Sequence, residues 1–187
     1  MKYTNLFICF LLISTTTFSQ SKKDLKKNKV KSFKEVQTSI ENAKEVTVNV
    51  LTQKMDAAGN IIEEIDYDKE GKIKTHFTAV YDKNGDKIEE QTFTEDGKLK
   101  KKKVYKYNAK GDRISEDHFD PAGKILSKVV ISYNSNGDKI TEVHFDTANI
   151  ITEKTFYVYD RNGMLVQQKN VDSAGKLIKE SKYTYEY

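Results

Sequence analysis

From residue 45 onward, apolar and polar positions alternate in short runs, and no run keeps the three-to-four spacing of an amphipathic helix. In 99–107, Leu99, Tyr105 and Tyr107 share one parity, while Lys100, Lys102 and Lys106 share the other. In 125–133, Ile125, Val129, Ile131 and Tyr133 fall on the same apolar parity. Successive side chains of a pleated strand point to opposite sides, so this alternation predicts strands half-buried on one face. Shorter runs such as 88–93 break the pattern. Ile88 and Phe93 have opposite parity, which predicts a β-bulge there or side chains on both faces.

The runs recur. Gly59, Gly71, Gly85, Gly97, Gly111, Gly123, Gly137, Gly163 and Gly175 follow one another in alternating steps of 12 and 14, with Asn149 standing where a glycine is missing. Asn tolerates a left-handed backbone best after Gly, so one conformation with positive φ is expected at all ten positions. Other columns repeat every 26 residues: Tyr81, Tyr107, Tyr133, Tyr159 and Tyr185; Ile73, Leu99, Ile125, Ile151 and Leu177; Ile62, Ile88, Ile114, Ile140 and Val166; Tyr67, Phe93, Phe119, Phe145 and Val171. The glycines sit in stretches such as Asp82-Lys83-Asn84-Gly85-Asp86, a hairpin-turn composition. The expected fold is all-β: an antiparallel β-hairpin repeat array of five 26-residue copies over 59–187, about ten strands in one open, twisted or coiled sheet.

Residues 32–58 are expected to cap that array. Ser32 and Glu35 form a capping-box pattern, and Phe33, Val36 and Ile40 fall on one helical face, which predicts a short helix over 32–44. Val46, Val48 and Val50 then read as an irregular first strand.

Residues 1–19 carry the marks of a signal peptide. Lys2 gives a positive start, Leu6 to Ile13 an apolar core, and Thr17 and Ser19 suit a cleavage site that leaves Gln20 first. Eight apolar residues fall far short of the roughly 20 that span a bilayer, so no transmembrane segment is expected after cleavage. Cys9 is the only cysteine and lies in this segment, leaving an exported domain held without disulfides. Residues 20–31 form a basic linker, with six Lys and one Asp in 21–31. The remaining 32–187 carries 25 Lys and Arg against 27 Asp and Glu. Positive charge therefore belongs to a tail rather than to a structured face, which speaks against nucleic acid as a partner. Hydrophobic residues at 37% against 32% charged favour a thin fold over a thick core.

Tyr67-Asp68-Lys69-Glu70-Gly71, Tyr81-Asp82-Lys83-Asn84-Gly85 and Tyr159-Asp160-Arg161-Asn162-Gly163 resemble the Tyr-Asp-x-x-Gly unit of YD-repeat, Rhs-type proteins. Tyr107 to Gly111 and Tyr133 to Gly137 match it with Asn for Asp. The resemblance covers 59–187 and implies a strip of β-hairpins that can coil into a shell. Large members enclose a C-terminal toxin. With five copies running to Tyr187, no such toxin is expected here.

Candidate chemistry is sparse. His118 and His144 stand one repeat apart, roughly 9.6 Å across two strand spacings, too far for one metal, and His76 lies in another column. Asp82-x-Asn84-Gly85-Asp86 has Gly at position four, where a calcium loop needs it at six. Lys98 and Lys100 to Lys103 form a basic patch in one copy. Tyr81, Tyr105, Tyr107, Tyr133, Tyr157, Tyr159, Tyr183 and Tyr185 form the candidate binding face, suited to stacking on a sugar or to holding the sheet by cross-strand contact. No nucleophile–base pair or phosphate loop is present, and no cofactor is expected. The sequence predicts an exported, non-enzymatic repeat protein, periplasmic, on the cell surface or extracellular, that binds a protein or glycan of the envelope. The alternatives are a structural protein that self-associates through its sheet and an outer-membrane barrel, the latter opposed by Lys on both faces of 99–107.

Overall fold

The architecture follows from one turn repeated. In Asp82–Asp86 the Asp82 N–H donates to the Asp86 carbonyl at 2.9 Å, and the Gly85 N–H donates back to the Asp82 carbonyl at 3.1 Å. The Asp82 carboxylate accepts the N–H groups of Asn84 and Asp86 at 2.8 and 3.0 Å. This is a type I turn followed by one left-handed residue, a geometry that matches the twist of the flanking strands. The same two backbone bonds recur in turns that begin at Asp56, Asp68, Asp82, Thr94, Asn108, Asp120, Asn134, Asp146, Asp160 and Asp172. The fourth residue of each has φ between +60° and +91°, nine times Gly and once Asn149.

The computed structural model describes residues 26–186. The expected signal peptide 1–19, residues 20–25 of the linker 20–31 and Tyr187 lie outside the described residues. Twelve strands form: β1 (Ser32–Glu41), β2 (Lys44–Met55), β3 (Ile61–Asp68), β4 (Ile73–Tyr81), β5 (Lys87–Phe93), β6 (Leu99–Tyr107), β7 (Arg113–Phe119), β8 (Ile125–Tyr133), β9 (Lys139–Phe145), β10 (Ile151–Tyr159), β11 (Leu165–Asp172) and β12 (Leu177–Lys182). They pair in chain order as one antiparallel sheet, β1 to β12, that does not close. The expected single-sheet hairpin array is therefore the fold.

The expected helix over 32–44 is not formed. Ser32–Glu41 is a strand, paired with β2 from Ser32↔Lys54 to Glu41↔Lys44. The reversal is a two-residue turn, with Asn42 at φ 51° and Ala43 at φ 60°. Phe33, Val36 and Ile40 fit a helical face, but so short a helix is marginal alone, and pairing with β2 forms a ladder along all ten residues. The cap is thus a hairpin that extends the sheet, raising the expected ten strands to twelve.

Every pairing contains a bulge. Between β4 and β5, Tyr81 faces Lys87 and Val80 faces Glu89, so Ile88 has no partner. Ile62, Ile114, Ile140 and Val166 are skipped in the same way. This explains the opposite parity of Ile88 and Phe93, and each bulge adds local twist. The core is correspondingly thin. Met55, Ala79, Tyr105, Ile131 and Val171 are the buried apolar side chains among the described residues, joined by the polar Asn60, Ser115, Asp117 and Thr155. Tyr105 faces Glu116 across the ladder while Lys106 faces Ser115, so buried residues occur on both faces.

Candidate functional site

Five of the eight candidate tyrosines do one job. The hydroxyls of Tyr81, Tyr107, Tyr133, Tyr159 and Tyr185 donate to the carbonyls of Ile61, Lys87, Arg113, Lys139 and Leu165 at 2.8–3.1 Å. Each reaches back 20 residues. Tyr107 ends β6 and Lys87 begins β5, so the bond closes the end of the hairpin opposite its turn. Burial raises the pKa of the Tyr81, Tyr107, Tyr133 and Tyr159 hydroxyls, keeping each one a donor.

Tyr105, Tyr157 and Tyr183 occupy a second column. Tyr105 is buried with the Arg113 guanidinium 5.6 Å from its ring centre, and Lys139 Nζ lies 4.4 Å from that of Tyr157. Burial pushes the Tyr105 hydroxyl strongly up. Phe77 occupies a neighbouring column and meets Lys87 at 5.7 Å. Tyr183 is exposed.

Beside these rings runs a charged ladder that the sequence reading missed. Glu116 meets Arg113, Lys103 and the His118 ring at 2.9, 2.8 and 2.7 Å. One repeat on, Glu142 meets Lys139 and His144 at 2.8 and 3.0 Å. One repeat back, Lys87 meets Glu90 at 2.8 Å. Burial works against the charge on Glu116 and Glu142, but hydrogen bonds from the neighbouring lysines and histidines hold both below the ordinary carboxylate range. Burial likewise works against the charge on Lys139, yet the Glu142 carboxylate and Tyr157 hydroxyl keep its pKa raised. The signal was present in the chain as columns: Glu64, Glu90, Glu116 and Glu142, and Lys87, Arg113 and Lys139, recur every 26 residues.

Most of the other candidate groups are also engaged. His76 Nε2 lies 3.1 Å from Glu63, and its ring stacks on Phe93 at 4.6 Å. Lys102 and Lys103 point to opposite faces and meet Glu89 at 2.7 Å and Glu116 at 2.8 Å, while Lys98 pairs with Asp96. The Asp82 carboxylate of the calcium-like turn is taken up by the turn's own N–H groups. Among the described residues, no three His, Cys, Asp or Glu side chains are grouped to hold a metal, and no helix is long and apolar enough to cross a membrane.

No family model matches the chain, and no curated protein matches it. Similar solved structures include the Tc holotoxin pore of Photorhabdus luminescens, at 13% identity and TM-score 0.45, over 79% of this chain and 9% of that one. A TcdB2–TccC3 structure matches at 12% identity and TM-score 0.37, over 80% and 11%. A porin-like protein from Bacteroides uniformis matches at 14% identity and TM-score 0.35, over 83% and 86%. The chain thus spans about a tenth of the toxin chains it matches.

Proposed function

We propose that the chain is an exported, non-enzymatic β-repeat interaction module that binds an envelope or extracellular partner through the sheet face bearing Tyr157. The reading rests on one observation: the groups able to do chemistry are used to hold the array together. Tyrosine hydroxyls close hairpins, turn carboxylates hold backbone N–H groups, and histidine rings bond glutamates. What remains for a partner is a regular surface. Arg113–Glu116–His118 and Lys139–Glu142–His144 present a cation, a glutamate and a histidine ring in the same order one repeat apart, beside the rings of Tyr105 and Tyr157. Lys2, the apolar core of residues 6–13 and the small residues Thr17 and Ser19 after it motivate export.

The test is capture from an envelope extract on four immobilised baits: the chain from Gln20, the same chain with Tyr157→Ala and Glu142→Gln, one lacking residues 20–31, and an unrelated β-protein. One ligand enriched by the first and third baits and lost on the second is the expected result. Enrichment unchanged by the face substitutions, in a variant with native circular dichroism, would overturn the assignment of the face. Loss on the third bait would move binding to the basic tail.

A further inference from the structure

Within the array, every even strand is followed by an odd strand that covers one column of side chains. In that column Ala79 is 5%, Tyr105 8% and Ile131 5% exposed, while Tyr157 is half-buried. Opposite them stand Glu90, Glu116, Glu142 and, across from Tyr157, Gln168. Tyr183 occupies the same column just past β12, and it is 39% exposed because β12 has one neighbour among the described residues. Leu177 and Ile178 are 48% and 56% exposed beside it. At the other edge, β1 leaves Val36 at 51% and Ile40 at 72%.

The strand that would cover Tyr183 is specified by the repeat. It must run antiparallel to β12, open a two-strand unit, and carry glutamate, or the glutamine of the last copy, where Glu116 stands in β7. β1 meets all three requirements. A meander of twelve strands ends antiparallel to its first, so a second copy beyond β12 continues the alternation. Glu35 faces Leu51 across the β1–β2 ladder. Glu64 faces Phe77, Glu90 faces Lys103, and Glu116 faces Val129. Leu51, Phe77, Lys103 and Val129 are spaced by 26, so Glu35 belongs to the glutamate column.

We propose that the chain pairs head to tail with a second copy of itself, β12 against β1, with Tyr183 opposite the partner's Glu35. The register then follows residue by residue. Lys182 meets the partner's Val36, Ser181 the partner's Gln37, Glu180 the partner's Thr38 and Lys179 the partner's Ser39. No like charges stand directly opposite, an arrangement the cross-strand energetics favour. The Tyr183 N–H already donates inward to Val166 at 3.0 Å, so the backbone groups of Lys182 and Thr184 face outward, ready for a ladder. The contact is heterologous, and each added copy leaves a fresh β1 or β12 at the end. Assembly therefore runs beyond a dimer. It is independent of any envelope partner.

Cysteine pairing tests the register, since Cys9 is the only native cysteine. In a Cys9→Ser full chain, Glu35→Cys and Tyr183→Cys are made in separate pools, mixed and oxidised gently. A disulfide-linked dimer that forms only in the mixture is the expected result. Val36→Cys mixed with Tyr183→Cys should give none, because its side chain points to the opposite face. Cross-linking within the Tyr183→Cys pool alone would mean edge pairing of β12 with itself and would overturn the proposal, as would equal yield from the Val36→Cys mixture. A second readout needs no cysteine. Sedimentation of the native chain should show mass rising with concentration, and Ile40→Lys with Ile178→Lys should raise the midpoint about tenfold. Hydrogen exchange on the dilute full chain supplies the remaining outcome. Protection of β1 amides in the monomer would mean that the chain's own residues 1–25 hold that edge, and the proposal falls.

Discussion

The first hairpin and those that follow reach the same topology by different means. β1 and β2 turn on Asn42 and Ala43, both at positive φ. β3 and β4 turn through Asp68–Lys72, where the Asp68 carboxylate takes the N–H groups of Glu70 and Lys72 and Gly71 supplies the left-handed residue at +78°. The far end of the β3–β4 hairpin is closed by Tyr81 on the Ile61 carbonyl, whereas β2 ends with the Met55 N–H on the Lys31 carbonyl at 2.9 Å. In the array, a few residues per copy specify turn and closure locally. In the first hairpin, the ladder with β2 decides the outcome. A local pattern can therefore mislead where the neighbour rather than the turn sets the structure.

The largest test of that contrast is Tyr105→Ala. The ring is buried under Arg113, and its removal should cost about 3 kcal/mol in urea unfolding. Val36→Ala in the exposed first hairpin should change stability by no more than about 0.5 kcal/mol. Comparable losses at both sites would erase the distinction between the regions.

Turn chemistry gives the next effect, with opposite signs. Gly111 has φ +86° and open space around an added Cβ, so Gly111→Ala carries backbone strain alone, about 1–2 kcal/mol. Ala43 already bears that strain at φ 60°, and Ala43→Gly should raise the unfolding midpoint by about 1 kcal/mol equivalent.

Smaller again, Tyr133→Phe removes one donor to the Arg113 carbonyl, at 2.8 Å, and should cost about 1 kcal/mol while loosening amides at the open end of the β7–β8 hairpin in hydrogen exchange. If those amides keep their protection, the closure carries no stability.

The mildest effect is acid sensitivity. Glu116 and Glu142 have depressed pKa values in the fold, so the unfolded chain binds their protons more readily. Their stabilising contribution is complete above the ordinary value of 4.5 and is lost as pH falls through the lower folded values. The urea midpoint should drop on acidification below about pH 4.5, and Glu116→Gln with Glu142→Gln should flatten that drop.

The turns were legible because each is written in consecutive residues, from Asp82 to Asp86 or Asp160 to Met164, and repeats on schedule. The tyrosine closure was not. Tyr105 and Tyr107 share parity and read as equals, yet the bulge at Ile114 shifts the pairing between Lys106 and Tyr107, so one ring is buried and the other carries a hydroxyl to Lys87. That partner is 20 residues back, and only the register reveals it. The glutamate column escaped notice for a related reason. Acidic residues on a strand read as solvated until cations on neighbouring strands are placed against them, as Lys103 is against Glu116.

The tie between a tyrosine and a carbonyl in the preceding strand also bears on how the chain acquires its shape. Each strand pairs only with its neighbours in sequence, and each tie spans 20 residues. A chain emerging from a pore N-terminus first would complete one hairpin, turn and tie together, before the next appeared. No strand waits for a distant partner, so contact order stays low and folding advances by addition to an existing edge. The final hairpin sets last, when Tyr185 reaches Leu165.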